Sequence, residues 1–210
     1  MDRFALAREN MIKGQILPNK IINTDIIRIM SDIQRQNFIP EHFKPVAYCD
    51  EHIKVGDDRY AISPVVLSRM IQAADISKED TVLDIACGTG YSTAILSALA
   101  KKVVAVESSE ELSSKANSMI KNMDIVNAII LNNKLSYGCP ESGPYDVILI
   151  NGAIEATPHI LITQLNESGK IVTAILKKNG IATITLFKKN NGITETIELF
   201  DSMVPLIKEI

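Results

Sequence analysis

The sequence contains little of what metal sites, disulfide scaffolds and nucleic-acid surfaces are built from. It has three cysteines and three histidines in 210 residues, and neither set shows metal-ligand spacing. The odd number of cysteines argues against a disulfide framework and favours a reducing compartment, so we expect a cytoplasmic protein without a metal site. The formal net charge is only −3, with acids and bases interspersed, which argues against a nucleic-acid partner.

Long apolar runs are also missing. No segment is long and apolar enough to suggest a membrane span, and residues 1–5 do not begin a signal peptide, so we expect no membrane partner. With 46% hydrophobic residues, the chain can bury a substantial core as one domain, residues 1–210. Within it we expect a helical preface (1–56), a cofactor-binding α/β core (57–168) and C-terminal antiparallel strands (169–210).

What the sequence does contain is a strand, a glycine turn, a helix and a second strand that ends in an acid. Residues 82–85 form a short apolar run that predicts a buried strand. Gly88 and Gly90 follow, and glycine permits both a positive φ and the close approach of a ligand to the backbone. Glu107 comes 23 residues after Asp84, near the interval of about 20 at which such an acid meets ribose hydroxyls.

The composition of this turn predicts a cofactor without phosphates. A dinucleotide site needs a third glycine where this chain has Thr93, and Asp84 would repel a phosphate. S-adenosylmethionine carries an ammonium, a sulfonium and a ribose, which suit a site with two acids. We expect Glu107 to bind the ribose and Asp84 the methionine end. The expected cofactor-binding residues are Asp84, Ala86, Cys87, Gly88, Gly90, Tyr91, Glu107, Ser108, Asn132 and Asn133.

The segment from Asp84 to Gly90 resembles the first motif of the class I methyltransferases, D/E-x-G-x-G-x-G, with Ala86 at the first glycine. Alternation of strands and helices continues beyond it and predicts a parallel sheet covered on both faces. The expected strands are 81–86, 102–107, 126–131, 145–150 and 170–176, and the expected helices are 65–74, 90–101, 109–122 and 158–165. A further helix is expected after Thr24 as its cap. The alternation thus predicts the α/β class, and the resemblance implies a Rossmann-like seven-stranded class I methyltransferase sheet.

Two Asn-Gly pairs, at Asn179-Gly180 and Asn191-Gly192, lie between apolar runs. They predict hairpins, because both residue types accept a positive φ. The C-terminal strands would then form an antiparallel meander in the order five-six-seven. Many class I methyltransferases instead place the seventh strand between the fifth and the sixth.

Segments outside the cofactor half are similar to those of the protein-L-isoaspartate O-methyltransferases. They are Ala7 to Met11, Gln15, Phe38-Ile39-Pro40, Ala47-Tyr48, Asp50-Glu51, Ile62-Ser63, Pro144 to Ile150 and Leu165 to Lys170. The resemblance runs through nearly the whole chain in order. It implies the fold, the cofactor S-adenosylmethionine, and a protein or peptide substrate with a damaged aspartyl residue.

The match to this family is poorest at the segment where the family's pattern looks like T-I-S-x-P. Here Ala61 replaces the threonine, and Ser63 directly precedes Pro64. Ser63 can serve either the acceptor site or only the N-cap of the next helix. Asn151, expected at the end of the fourth strand, can either orient a polar group of the substrate or cap the loop that begins at Gly152. Asn132-Asn133-Lys134 also replaces the family's Gly-Asp-Gly.

The leading hypothesis is methyl transfer to an isoaspartyl carboxylate. An alternative is a homologue that binds S-adenosylmethionine with weak or no transfer and acts as a regulator. Two others are a methyltransferase with a different acceptor and a nicotinamide-dependent oxidoreductase. The oligomeric state is left open.

Overall fold

A computed structural model describes residues 2–210 and shows an α/β fold built on a seven-stranded sheet. The strands are β1 (Ile53–Gly56), β2 (Arg59–Ala61), β3 (Thr81–Ile85), β4 (Lys102–Glu107), β5 (Ala128–Asn132), β6 (Tyr145–Ile154), β7 (Leu165–Leu176), β8 (Ala182–Asn190) and β9 (Ile193–Ser202). The α-helices are α1 (Arg3–Met11), α2 (Thr24–Asp32), α3 (Pro64–Ala74), α4 (Tyr91–Leu99), α5 (Glu110–Asn122) and α6 (His159–Ile162). Short 3₁₀ or π segments occupy Ile12–Ile16, Arg35–Phe38, Glu41–Val46 and Pro140–Ser142.

The order of strands in the large sheet is β5-β4-β3-β6-β7-β8-β9. The first five are parallel, whereas β8 and β9 run antiparallel to their neighbours. This confirms the seven-stranded sheet and the simple order of its last three strands. Gly180, Asn191 and Gly192 all have positive φ, as the Asn-Gly turns predicted.

The core lies on both faces of the sheet because the central strands are apolar at nearly every position. Val82 of β3 packs into one hydrophobic cluster, and its neighbour Leu83 packs into the cluster on the opposite face. β3 pairs in register with both β4 and β6, so the carboxyl ends of these strands meet at one edge. That edge is where open α/β sheets bind their ligands.

Several local predictions need correction. The helix expected at 158–165 spans only His159–Ile162, and β7 begins at Leu165, before the expected strand 170–176. β6 continues to Ile154 instead of ending at residue 150, because it resumes pairing with β7 at Ala153 after an irregularity in the register. No loop therefore begins at Gly152, and the idea that Asn151 caps such a loop is wrong. The N-cap of α2 is Asn23 and not Thr24. The Asn23 side chain accepts hydrogen bonds from two backbone amides.

The N-terminal part is helical as expected, but it ends in an unexpected β-hairpin. β1 and β2 pair antiparallel and form a separate two-stranded sheet. Alternation of Ile53 and Val55 with polar residues, followed by the turn composition Gly56-Asp57-Asp58, is the signal that could have predicted it. This hairpin lies against the cofactor edge and shapes the site.

Among residues 2–210, no helix combines the length and the apolar character that crossing a membrane would require.

Candidate functional site

The turn between β3 and α4 has three residues with positive φ. Gly88 and Gly90 adopt φ values of 58° and 92°, and a Cβ on Gly90 would lie 3.2 Å from the Cβ of Ala116. Ala86 also has a positive φ, 57°, which is strained for a residue with a side chain. The backbone amides of Ala86 and Cys87 donate to the carbonyl of Val106 and hold the turn against β4. The turn is thus fixed by its backbone.

Asp84 is fully buried beneath this turn. Its Oδ2 accepts from Ser92 Oγ at 2.8 Å and Thr93 Oγ1 at 2.7 Å, and its Oδ1 accepts from Asn151 Nδ2 at 2.6 Å. Burial raises the pKa of Asp84 to about 6, although these three donors favour the ionised form. Asp84 therefore ties the turn to α4 and β6. Its direct contact with the methionine end of a cofactor stays a prediction.

Glu107 lies at the carboxyl end of β4 and is also fully buried. Its carboxylate accepts from the backbone amides of Gly88 and Ser109, each at 3.0 Å. Arg59 Nε lies 3.0 Å from one Glu107 oxygen and 3.1 Å from the other. The acid predicted to bind ribose is thus in place beside the turn, paired with a buried arginine.

Arg59 makes further contacts around this acid. Its Nη2 donates to Ser108 Oγ at 2.7 Å and to Glu209 Oε1 at 2.6 Å. Burial lowers the pKa of Arg59, but the charges of Glu107 and Glu209 and their hydrogen bonds to Arg59 together outweigh that effect, so that the pKa is raised. Ser108, predicted to bind the cofactor, therefore lies beside Glu107, as expected for the next residue in the chain.

The side chains of Asn132 and Asn133, two of the predicted cofactor-binding residues, bond to the main chain. Asn132 Nδ2 donates at 3.0 Å to the carbonyls of both Glu107 and Ser108. Asn133 Nδ2 donates to the carbonyl of Gly138 at 3.3 Å, and its Oδ1 accepts from the amide of Lys134. These bonds fix the loop after β5 beside the end of β4.

The β1–β2 hairpin separates two cavities at this edge. The inner cavity, over the glycine turn, has a volume of about 20 Å³. Its lining includes Val55, Ala61, Ile62, Cys87, Gly88, Tyr91 and Asn151. The outer groove has about 580 Å³ and is lined by residues 56–59 of the hairpin, Ser108, Ser109, Glu111, Leu112 and Glu209. Five of the ten predicted cofactor residues border one of these two spaces: Ala86, Cys87, Gly88, Tyr91 and Ser108.

Ser63 is the N-cap of α3, which confirms that alternative. Its Oγ accepts from the amide of Val66 at 3.2 Å, and its own amide donates to His52 Nδ1 at 3.1 Å. The preceding residues Ala61 and Ile62 line the inner cavity. Ser63 thus fixes the point at which the lining segment becomes a helix.

Sequence reasoning missed two arginines, Arg59 and Arg35. Arg35 is fully buried; its Nε donates to the carbonyl of Ala47 at 2.8 Å and its Nη2 to that of Ile62 at 2.9 Å. Its guanidinium lies 4.7 Å from the centre of the Tyr91 ring. Arg35 therefore connects the cavity-lining segment to the first residue of α4. No sequence pattern signalled its burial, since its neighbours in the chain are polar.

Comparisons with known proteins agree with this architecture. The family model described as protein-L-isoaspartate(D-aspartate) O-methyltransferase matches residues 7–209. A protein-L-isoaspartate O-methyltransferase of Koribacter versatilis is 31% identical over 205 residues, which cover 97% of this chain and 92% of that protein. One of Helicobacter pylori is 31% identical, over 94% of this chain and 98% of that protein.

Solved structures give the same result. A structure of a protein-L-isoaspartate O-methyltransferase superimposes with a TM-score of 0.83 at 25% identity; the match covers 95% of this chain but only 65% of that chain. A Plasmodium falciparum structure, described as a protein-L-isoaspartate O-methyltransferase in complex with S-adenosyl-L-homocysteine, also has a TM-score of 0.83, at 19% identity over the full length of both chains. Because the family model spans nearly the whole sequence and relatives at 31% identity cover it from end to end, the chain belongs to the protein-L-isoaspartate O-methyltransferase family.

Proposed function

We propose that this chain transfers a methyl group from S-adenosylmethionine to the free carboxylate of an isoaspartyl residue in a protein or peptide. Members of the family are S-adenosylmethionine-dependent methyltransferases, and this membership supports the reaction class. The observation that carries the cofactor assignment is the Glu107 carboxylate, buried at the carboxyl end of β4 and bonded to the amide of Gly88. A carboxylate at this place is suited to accept hydrogen bonds from both hydroxyls of a ribose.

The chemistry of the donor set fits S-adenosylmethionine. Glu107 supplies two acceptor oxygens for a ribose, and Gly88 leaves the backbone bare above the turn. Asp84 adds negative charge beneath the turn, which suits a cationic ligand. The fit requires that Arg59 release Glu107, since both carboxylate oxygens are in contact with it.

When bound, S-adenosylmethionine supplies an electrophilic methyl group on a positively charged sulfur. An isoaspartyl carboxylate is already ionised at neutral pH, so the chain needs no general base. Its residues contribute alignment of the two reactants and exclusion of water. Val55, Ala61 and Cys87 surround the inner cavity with mainly apolar surface, and such surface removes water from an incoming carboxylate.

We assign Ser63 and Asn151 to positioning. Asn151 lines the inner cavity, but its Nδ2 is bonded to Asp84 Oδ1 and to the carbonyl of Ile85. Ser63 Oγ is bonded to the start of α3. Each acts on the site through its neighbours: Asn151 through the turn, and Ser63 through the segment that contains Ala61.

The test is transfer of a tritiated methyl group to an isoaspartyl peptide, run beside the same peptide with a normal aspartyl residue. We expect base-labile methyl ester on the isoaspartyl peptide only, formed slowly, because Ala61 lacks the hydroxyl of the family's threonine. Esterification of both peptides at the same rate would contradict the assigned acceptor.

A second candidate is favoured by Ala61 and by the use of Ser63 Oγ in the cap of α3. It is a homologue that binds the cofactor and has lost transfer. Binding of S-adenosylhomocysteine in calorimetry, with no esterification of either peptide, would select this alternative.

A further inference from the structure

We infer that Arg59 blocks the cofactor site: its guanidinium pairs with Glu107 in the free chain and leaves this acid when the cofactor binds. We call this role of Arg59 a plug. This inference rests on the proposed assignment of Glu107 to the ribose. It adds that binding is an exchange, in which two ribose hydroxyls replace one guanidinium. Arg59 thereby sets the affinity of the site.

The first argument is the bonding capacity of the Glu107 carboxylate. Two carboxylate oxygens offer about four lone-pair positions. The backbone amides of Gly88 and Ser109 each occupy one lone-pair position, on different oxygens, and Arg59 Nε lies within 3.1 Å of both oxygens. The two amides belong to the backbone of the turn and of the α5 entrance. Ser108 Oγ makes only a long contact of 3.5 Å with one oxygen, so Arg59 is the close side-chain donor and the group that a ribose can displace.

The second argument is space. A single water needs roughly 10–15 Å³ of cavity, so the inner cavity of about 20 Å³ holds one water and not the methionine part of the cofactor. The outer groove of about 580 Å³ is large enough, but the hairpin lies between the two. Gly88 lines the inner cavity, whereas Arg59 and Ser108, which contact Glu107, line the outer groove. A ligand that reaches from the turn to Glu107 therefore enters both spaces. The hairpin that carries Arg59 therefore has to shift for binding.

The third argument is what holds the plug in place. Residues near the C-terminus contact the hairpin twice: Glu209 bonds to Arg59, and Lys208 Nζ lies 3.4 Å from Asp58 Oδ2. Lys208 and Asp58 are exposed and Glu209 is 43% exposed, so these contacts are easily broken. Ser108 Oγ adds a bond to Arg59 at 2.7 Å. We expect the hairpin and the C-terminus to loosen together.

A different role for Arg59 makes the opposite prediction. If Arg59 only neutralises Glu107 and holds it in its binding position, removal of the guanidinium weakens cofactor binding. If Arg59 is a plug, its removal strengthens binding, because the ligand no longer has to break a buried ion pair. The sign of the change in affinity separates the two roles.

The experiment is calorimetric titration of the full chain with S-adenosylhomocysteine at pH 7.5, for the wild type, Arg59→Gln and Glu209→Gln. Arg28→Gln is the matched control, since Arg28 forms only exposed pairs with Asp25 and Asp32 on α2. We expect at least tenfold tighter binding by Arg59→Gln, a gain of severalfold for Glu209→Gln, and no change for Arg28→Gln.

Urea unfolding of each variant accompanies the titration and shows that it is folded. Equal or weaker binding by a folded Arg59→Gln would overturn the plug while the cofactor assignment stands. If Arg59→Gln does not fold, the affinity of Glu209→Gln tests the plug instead. Binding by Glu209→Gln that is equal to or weaker than that of the wild type would also overturn the plug. Failure of the wild type and of every variant to bind would overturn the cofactor assignment and the plug together.

Discussion

Asn151 Nδ2 lies 2.6 Å from Oδ1 of Asp84, and the same nitrogen lies 2.9 Å from the carbonyl oxygen of Ile85. One amide on β6 thus holds the end of β3, 66 or 67 residues earlier in the chain. The contact fixes the floor of the glycine turn from the neighbouring strand. It also places the buried charge of Asp84 where the inner cavity begins, and this charge makes the stability of the fold depend on pH.

Asp84 is expected to lower the stability of the protein as pH rises. Its pKa is about 6 in the folded state and about 3.8 in the unfolded state, so the folded protein binds the proton more tightly. The contribution of Asp84 is therefore most favourable below pH 4 and declines until the pH exceeds 6. The shift corresponds to about 3 kcal/mol.

Urea unfolding of the wild type and Asp84→Asn between pH 4 and pH 7.5 measures this effect. The free energy of unfolding of the wild type, relative to the variant, should fall by about 2 kcal/mol over this range, since at pH 4 the unfolded carboxyl is already partly ionised. Asp124→Asn makes the same substitution at an exposed position and serves as the control. A wild type that gains stability relative to Asp84→Asn as pH rises would contradict the effect.

Replacement of Glu107 by Ala should weaken binding of S-adenosylhomocysteine at least tenfold. The ribose loses charge-assisted hydrogen bonds worth about 1.5–3 kcal/mol each. Calorimetry measures the affinity, and Glu110→Ala, an exposed acid in the first turn of α5, serves as the control. An unchanged affinity in Glu107→Ala would remove the ribose assignment.

Ser63→Ala should lower both stability and methyl transfer, whereas Asn23→Ala should lower stability alone. Both residues are N-caps, so each change costs about 1 kcal/mol in urea unfolding. Only Ser63 adjoins the segment that lines the inner cavity, and a small displacement there should cost roughly tenfold in rate. Equal transfer by the two variants would limit Ser63 to its role as a cap.

Ala61→Thr should increase the rate of isoaspartyl transfer, because it places a hydroxyl in the lining of the inner cavity. A hydrogen bond to a charged carboxylate is worth about 1.5 kcal/mol, so we expect about a tenfold rise in kcat. Ala61→Val matches the threonine in shape but carries no hydroxyl, and it should give no increase. A similar rise in both variants would assign the effect to volume.

Much of the fold was predictable because its signals are local. Gly88, Gly90 and the Asn-Gly turns depend on φ values that few residues accept, and Gly88, Gly90, Gly180, Asn191 and Gly192 do have positive φ. Ser63 followed by Pro64 marked the start of α3 for the same kind of reason. Errors occurred where pairing overrides local preference. β6 continues through Asn151 and Gly152 to Ile154 because β7 offers partners for its last residues.

The alternation of strands and helices, the glycine turn and the place of Glu107 at a strand end could all be predicted from the sequence, since each depends on one continuous stretch of the chain. Which side chains meet depends on the tertiary structure. Arg59 reaches Glu107 across 48 residues, and Arg35 reaches the carbonyl of Ile62 across 27. A buried charge is tolerable only with partners, and burial and partners are both products of the folded chain. The neighbours of Glu107, and with them the accessibility of the cofactor site, therefore follow from packing.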